Sequence, residues 1–251
     1  METSEHLRRE LGDFELVFKN DTVVDGVRAA WPSGLAVASE FWRVPFESRH
    51  LSLRMKELLL LAMHGSATAL TTEAMERHVE RALKAGASKV DILDVMTSIS
   101  ALGNHALYFS VPVLEEELKR AGKLDAGSLP PPDPRFEAAK ENFVKIRGFW
   151  GESRDTMARL MPAYSLALTN LGAESWTRGT LTRKEREFIC VAIDCCVTHQ
   201  YEPGLRQHIR SALELGATRD ELLEIFELAA LMGLEGYVMV ANKLFDGAAT
   251  N

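Results

Sequence analysis

Residues 51–96 read LSLRMKELLLLAMHGSATALTTEAMERHVERALKAGASKVDILDVM, and residues 181–226 read LTRKEREFICVAIDCCVTHQYEPGLRQHIRSALELGATRDELLEIF. The two stretches align without a gap, so that His78 lies opposite His208. An internal repeat has to be identified first, because it decides the architecture. Its unit is a helical domain rather than a short solenoid repeat, and the sequence therefore predicts two fused copies of one bundle.

Apolar residues recur at helical spacing along the chain, and no strand-like alternation persists. Gly86 and Gly216 each end an amphipathic helix, where the left-handed conformation is common. Ser88 and Thr218 follow as N-caps, each with an acidic residue three positions later that completes a capping box. These patterns predict an all-α fold made of two helical-bundle repeats. The predicted helices cover residues 4–17, 22–43, 53–69, 72–86, 89–102, 103–121, 135–149, 153–172, 183–198, 203–216, 218–231 and 233–246.

A linker separates the two copies in sequence. The segment 123–134 reads KLDAGSLPPPDP, and proline removes a backbone donor and fixes φ, so this segment cannot be a helix. We therefore expect a first repeat over residues 1–122, a Pro-rich linker over 123–134 and a second repeat over 135–251. The first repeat is expected to carry a degenerate site, because the second has the denser set of polar residues.

The composition excludes several classes of protein. With a formal net charge of −7, the chain lacks the clustered Lys and Arg residues of a nucleic-acid footprint. No apolar run approaches the ~20 residues of a membrane span, and the charged N-terminal stretch has no signal-peptide pattern. Three cysteines without framework spacing fit a reducing compartment. We expect no nucleic-acid partner, no membrane and a cytoplasmic location.

Polar side chains of the second half gather where one predicted helix ends and the next begins. His199 and Glu202 are opposite the inert Ala69 and Thr72 of the first half, which suggests that only one half kept a site. The start of a helix favours bound negative charge, so the place suits a small anionic molecule. The whole polar set consists of Arg186, Glu187, Asp194, His199, Tyr201, Glu202 and His208.

Each of these residues also has a plain structural interpretation. His208 is either a proton carrier or a hydrogen-bonded core histidine, and its recurrence as His78 fits a packing role shared by both halves. Arg186 and Glu187 are alternatively a solvated ion pair, and Tyr201 alternatively packs its ring. The histidine spacings match no zinc motif, so no metal is expected.

The cysteines and the glycines carry no recognisable chemical motif. Cys195 lies on an apolar stripe with Phe188 and Ala192, and Cys196 is beside it, so buried packing is the favoured role for both thiols. The chain contains no C-x-x-C pair. It also contains no G-x-G-x-x-G and no P-loop, and no cofactor is therefore expected.

The second half carries a family pattern. LTRKEREFICVAIDCC is followed by a His-x-Tyr-Glu step at 199–202 and then by HIRSALELGATRDELLEI. This sequence resembles the carboxymuconolactone decarboxylase family, which also includes alkylhydroperoxidase D-like proteins. The resemblance is weaker but in register over residues 51–118. It implies an all-helical fold, and for a fused two-copy chain it implies a homotrimer that imitates a hexamer.

The redox branch of that family uses a C-x-x-C pair, with a Glu twelve residues before the first Cys and a His after the second. Glu187 matches this Glu, but His199 and Glu202 occupy the two cysteine positions, and His208 comes about two residues late. The resemblance therefore implies the decarboxylase branch. Its members act without a cofactor on an acidic lactone from aromatic-compound catabolism.

On this resemblance, His208 supplies a proton or stabilises an oxyanion, and Glu187 orients a histidine. His199 or Glu202 is the alternative acid. Arg186 and Tyr201 are the expected substrate contacts.

Three other functions stay open at this point. One is a peroxidase of the same family that works through Cys195 or Cys196. Another is isomerisation or cyclisation of a different carbonyl substrate, and the last is a non-catalytic helical assembly module.

Overall fold

The computed structural model describes residues 2–124, 133–151 and 153–247, and their regular structure is entirely helical. This confirms the all-α fold class with a two-repeat helical arrangement. Most of the predicted linker at 123–134 lies outside the described residues. The helices are α1 (Glu2–Leu11), α2 (Asp21–Ala30), α3 (Pro32–Glu47), α4 (Leu53–His64), α5 (Thr72–Lys84), α6 (Lys89–Ser100), α7 (Asn104–Arg120), α8 (Phe136–Arg147), α9 (Ser153–Leu160), α10 (Pro162–Arg178), α11 (Arg183–Cys195), α12 (Glu202–Glu214), α13 (Arg219–Leu231) and α14 (Glu235–Phe245), with short 3-10 turns at Phe14–Val17, Ala101–Gly103 and Met232–Leu234.

Two of the predicted long helices are wrong, because each is two helices. The predicted 22–43 helix divides into α2 and α3 at Pro32, and the predicted 153–172 helix divides into α9 and α10 at Pro162. The residues before the two prolines are not helical, with φ of −152° and −139°. The proline ring disfavours helical backbone in the residue before it, while proline itself is well suited to the first turn of a helix.

The predicted helices 53–69 and 183–198 are also too long. Their C-terminal residues form a turn after α4 and after α11, in which Leu70 and Gln200 have φ of 47° and 49°. A non-glycine residue in the left-handed region cannot continue a right-handed helix. The same unusual backbone therefore occurs at matching places in the two halves, and it sets where His199 and Tyr201 lie.

The predicted helix caps are confirmed. Gly86 and Gly216 have φ of 93° and 82° at the ends of α5 and α12. The backbone N–H of Ser88 donates to the Asp91 carboxylate at 2.8 Å, and the Asp91 N–H donates to Ser88 Oγ at 3.1 Å. The same reciprocal pair of bonds begins α13. These tight turns make α6 and α13 follow at once on the preceding helices.

The helices form two compact units, of which one combines Met1–Ile92 with Thr182–Asn251 and the other is Leu93–Leu181. In the first unit α4 packs on α5, α11 packs on α12, and α4 contacts α11. The repeated helix pairs of both halves therefore share one unit. The repeat boundaries at 1–122 and 135–251 stay a prediction.

The second unit has its own core. Val111, Met157 and Leu168 are buried together there, with Leu107 and Met161 packed against them. Among the described residues, no helix has both the length and the apolar character needed to cross a membrane.

A buried ion pair joins the two halves within the first unit. Lys56 of α4 and Glu224 of α13 are in direct contact and fully buried. The Lys56 ammonium also donates to the carbonyls of Pro45 at 2.5 Å and Ser48 at 2.7 Å. The Glu224 carboxylate accepts from Ser48 Oγ at 2.8 Å and from the Leu51 N–H at 3.1 Å. Nearly complete hydrogen bonding is what makes such a buried pair tolerable.

Removing one partner of this pair should destabilise the fold strongly. Glu224→Gln leaves the Lys56 charge buried without its counter-charge, and we expect a loss of about 3–5 kcal/mol of unfolding free energy in urea titrations. The control is Glu47→Gln, which breaks the exposed pair with Arg43 and should cost less than about 1 kcal/mol. Equal losses in the two variants would show that the buried pair does not hold the halves together.

Candidate active site

A carboxylate–histidine pair lies between α11 and α12. Glu187 Oε2 and His208 Nδ1 are 2.6 Å apart, and the two side chains are 2% and 13% exposed. The pair forms because α12 folds back against α11 and brings together residues that are distant in sequence. A carboxylate on Nδ1 fixes the orientation of the ring and leaves Nε2 for chemistry. The structure therefore brings together the two residues that the sequence favoured most.

Cys190 completes a cluster with this pair, and sequence reasoning missed it. It lies one turn after Glu187 on α11, and its thiol is hydrogen-bonded to His208. One polar atom each of Glu187, Cys190 and His208 lies within 4.8 Å of the others. One signal was available in the sequence, since residue 60, the counterpart of Cys190 in the first half, is a leucine.

His208 is held in its charged form. Burial alone lowers the pKa of His208, but the interactions with Cys190 and Glu187 outweigh burial and raise this pKa from 6.5 to about 10. An opposite charge within hydrogen-bonding distance favours the charged form of a group. At neutral pH the side chain is therefore an imidazolium that can give up a proton.

Asp194 lies near this imidazolium and is itself buried. Only 1% of Asp194 is exposed, and its Oδ2 has no hydrogen-bond partner among the described residues. Burial raises the pKa of this carboxyl group to about 7, while the charge of His208 lowers it. Gly204 leaves the space for it, because a Cβ at that position would collide with the Asp194 carboxylate and the Tyr201 ring. A side chain at residue 204 would therefore disturb the site.

Two more of the predicted residues lie beside Asp194. His199 Nε2 is 3.8 Å from Asp194 Oδ1, and the Tyr201 N–H donates to the Asp194 carbonyl at 2.9 Å. Burial lowers the pKa of His199 and raises that of Tyr201. The rings of His199 and Tyr201 are 5.9 Å apart. A largely neutral imidazole and a phenol hydroxyl are thus available near the carboxyl group.

The remaining predicted residues lie elsewhere. The Glu202 side chain is 69% exposed and accepts a hydrogen bond from Arg206 Nε at 2.7 Å. It therefore forms a surface ion pair with Arg206 at the start of α12. Arg186 is buried on α11, and the alternative of a solvated pair with Glu187 is therefore wrong. The charge pattern of a sequence does not by itself reveal whether a long charged side chain is buried or exposed.

The other two thiols are bonded to backbone. Cys195 Sγ donates to the Ala192 carbonyl at 3.4 Å, and Cys196 Sγ donates to the Ile193 carbonyl at 3.1 Å. Burial raises the pKa of Cys195 to about 12. A thiol in such surroundings is a poor nucleophile, because the thiolate is the reactive form.

The first half has the same carboxylate–histidine pair in different surroundings. Glu57 and His78 are 2.8 Å apart and fully buried, and Arg81 Nε donates to the Glu57 carboxylate at 3.0 Å. Trp42 stacks on His78 with ring centroids 6.4 Å apart. Burial lowers the pKa of His78 in spite of Glu57. The neutral His78 ring and the Glu57–Arg81 ion pair are thus sealed from solvent. The degenerate first repeat stays a prediction.

The donor atoms of the cluster are also of the types that zinc binds. Two zinc ligands in a tetrahedral site are roughly 3.3 Å apart, however, given bonds of about 2.0 Å to nitrogen and oxygen. Glu187 Oε2 and His208 Nδ1 are closer than this, at 2.6 Å, and share a hydrogen bond instead. The arrangement is therefore better suited to moving a proton than to holding an ion.

Comparisons with known proteins agree with this architecture. Residues 162–245 match the model of the carboxymuconolactone decarboxylase family, a range that contains the whole candidate site. A solved structure from Burkholderia xenovorans, provisionally described as a gamma-carboxymuconolactone decarboxylase subunit, is similar with a TM-score of 0.82 and 32% sequence identity, over 96% of this chain and 95% of that one. Comparison with curated proteins gives no match. This chain belongs to the carboxymuconolactone decarboxylase family.

Proposed function

We propose that the protein removes carbon dioxide from an acidic lactone produced in aromatic-compound breakdown, with His208 as the proton donor. Family membership gives the reaction class its first support. The observation that carries the proposal is the hydrogen bond of 2.6 Å between Glu187 and a half-buried His208 whose pKa is about 10. A histidine in this state already carries, before the substrate binds, the proton that it donates.

The chemistry needs no cofactor. When carbon dioxide leaves the carbon gamma to the lactone carbonyl, the electron pair moves through the conjugated double bond to the carbonyl oxygen. A dienolate results, and the site has to stabilise its oxyanion and then protonate carbon. The His208 imidazolium can do both from Nε2, because Nδ1 is bonded to Glu187. Glu187 keeps the ring oriented throughout and favours its charged form until the proton is given to carbon.

Substrate binding follows from the same charges. The imidazolium attracts the substrate carboxylate, whereas an ionised Asp194 repels it. His199 is the alternative acid in this proposal, since it lies 3.8 Å from the Asp194 carboxylate. Tyr201, whose backbone N–H donates to the Asp194 carbonyl, is a proposed substrate contact. Arg186 is a proposed contact for the substrate carboxylate. Glu202 is the weakest of the candidates, because its carboxylate is engaged by Arg206 at the surface.

Assembly and location belong to the same proposal. We infer a cytoplasmic homotrimer, in which the paired repeats imitate a hexamer. The three free cysteines support a reducing compartment. Val37, Phe41 and Val44 form an exposed apolar stripe along α3, a surface typical of self-association. The related Burkholderia xenovorans protein is described as a subunit.

The direct test is turnover of gamma-carboxymuconolactone, followed by the loss of its ultraviolet absorbance. We expect His208→Gln to lower kcat by ~10²-fold or more, because the general acid is lost. His50→Gln changes an exposed histidine outside the site and should leave turnover unchanged. Wild-type turnover in His208→Gln would remove His208 from the mechanism. A flat trace for the unmodified protein at high concentration would refute the decarboxylase proposal and leave family membership standing.

The pH dependence of kcat/KM should show the titration of two groups, Asp194 and His208. With rising pH, kcat/KM should first fall near pH 7, because Asp194 ionises there and its charge repels the anionic substrate. It should fall again near pH 10, where His208 loses the proton that it donates. Asp194→Asn is expected to abolish the first fall and keep the second. A single fall near pH 6.5 in both proteins would contradict the assigned protonation states.

A further inference from the structure

We propose that Cys190 is a nucleophile, and that Cys190, His208 and Glu187 form a covalent site for small conjugated carbonyl compounds. Decarboxylation as described above has no covalent step and leaves this thiol without a role. The new site shares His208 and Glu187 with that reaction but does not depend on it. Adduct formation can be observed without any turnover.

The geometry is that of a nucleophile, a base and an orienting carboxylate. Glu187 Oε2 is 2.6 Å from His208 Nδ1, and the Cys190 thiol is hydrogen-bonded to the same imidazole. Polar atoms of the three residues all lie within 4.8 Å of one another. The imidazole is therefore in contact with both the carboxylate and the thiol. This order of groups is the general arrangement that activates a cysteine.

Cys190 is distinguished from the other two thiols by what it contacts. Cys195 and Cys196 are bonded to backbone carbonyls of their own helix, at 3.4 and 3.1 Å. A carbonyl accepts a hydrogen bond from a thiol but cannot take its proton. Only Cys190, among the described cysteines, has an imidazole as its partner. The first half has Leu60 at the matching place, so its carboxylate–histidine pair serves no thiol.

A second feature lies one turn after Cys190 on the same helix. Asp194 Oδ2 is buried and has no hydrogen-bond partner among the described residues. The charge of His208 lowers the pKa of the Asp194 carboxyl group, so the two groups are near each other. A buried polar atom without a partner is costly unless a bound molecule satisfies it. Cys190 itself is 9% exposed, so only a small molecule can reach the sulfur. A compact ring with a polar edge fits both conditions.

A conjugated carbonyl compound is the proposed ligand because a thiolate sulfur adds readily to its double bond. The Cys190 thiol first gives its proton to His208, which forms the imidazolium. The resulting thiolate gives an electron pair to the β-carbon, and a carbon–sulfur bond forms. The π electrons of the double bond move onto the α-carbon and the carbonyl oxygen as an enolate. The His208 imidazolium then gives its proton to the α-carbon, which leaves a neutral thioether and a neutral imidazole. Removal of that proton by His208 reverses the addition, so no oxidant or reductant is needed.

The test uses the full chain and crotonolactone, the parent unsaturated lactone. Mass spectrometry of the intact protein and of its peptides should show one adduct, at Cys190, formed at least about tenfold faster than any adduct at Cys195 or Cys196. His208→Gln should slow its formation by at least about tenfold, because the proton donor is gone. Cys195→Ala is the matched control and should react like the unmodified protein. Circular dichroism melting shows whether each variant is folded.

Other outcomes would overturn the inference. Adducts spread equally over the three cysteines would show that Cys190 has no special reactivity. An unmodified Cys190 in the folded protein, with all three thiols reacting in urea, would show that the thiol is merely packed. If His208→Gln is unfolded, Glu187→Gln takes its place, and an unchanged rate in that variant would also contradict the triad. Decarboxylation without an adduct would refute this inference alone, and an adduct without decarboxylation would refute only the proposed function.

Discussion

The structure depends on the cost of burying a carboxylate. Glu187 lies inside the bundle with 2% of its side chain exposed, and a charge in that place needs a positive partner. His208 is that partner, and its interactions with Cys190 and Glu187 together make it an imidazolium at a pH at which an ordinary histidine is mostly neutral. This buried charge therefore contributes to the protonation state of the proposed acid and orients the ring that also contacts Cys190.

The two halves neutralise their buried glutamates in two different ways. In the first half, Arg81 neutralises Glu57, so His78 has no need to carry charge and remains neutral under Trp42. The second half has Ser211 at the position that matches Arg81, and the histidine must supply the charge itself. A single arginine beside a buried carboxylate thus separates a neutral histidine from a charged one. Under the proposed function, this difference is the physical reason for one site in a duplicated chain.

Sequence alone predicted what depends on local backbone and on repetition. The caps at Gly86 and Gly216 followed from spacing and from the repeat, whereas the roles of Glu187 and His208 stay predictions. The helix breaks at Pro32 and Pro162 were missed, although the restriction that proline places on its neighbour was readable there. The thiol of Cys190 could not be assigned, because its contact with His208 exists only after α12 has packed on α11. The exposure of Glu202 is likewise a result of tertiary packing rather than of residue type.

The protonation state of His208 is the central claim, and nitrogen NMR on histidine-labelled protein measures it directly. The His208 signals, assigned by their absence in a His208→Gln spectrum, should keep the imidazolium pattern through pH 8 and titrate only near pH 10. A His208 that loses its proton near pH 6.5 would contradict the account, since Glu187 would then be paired with a neutral ring.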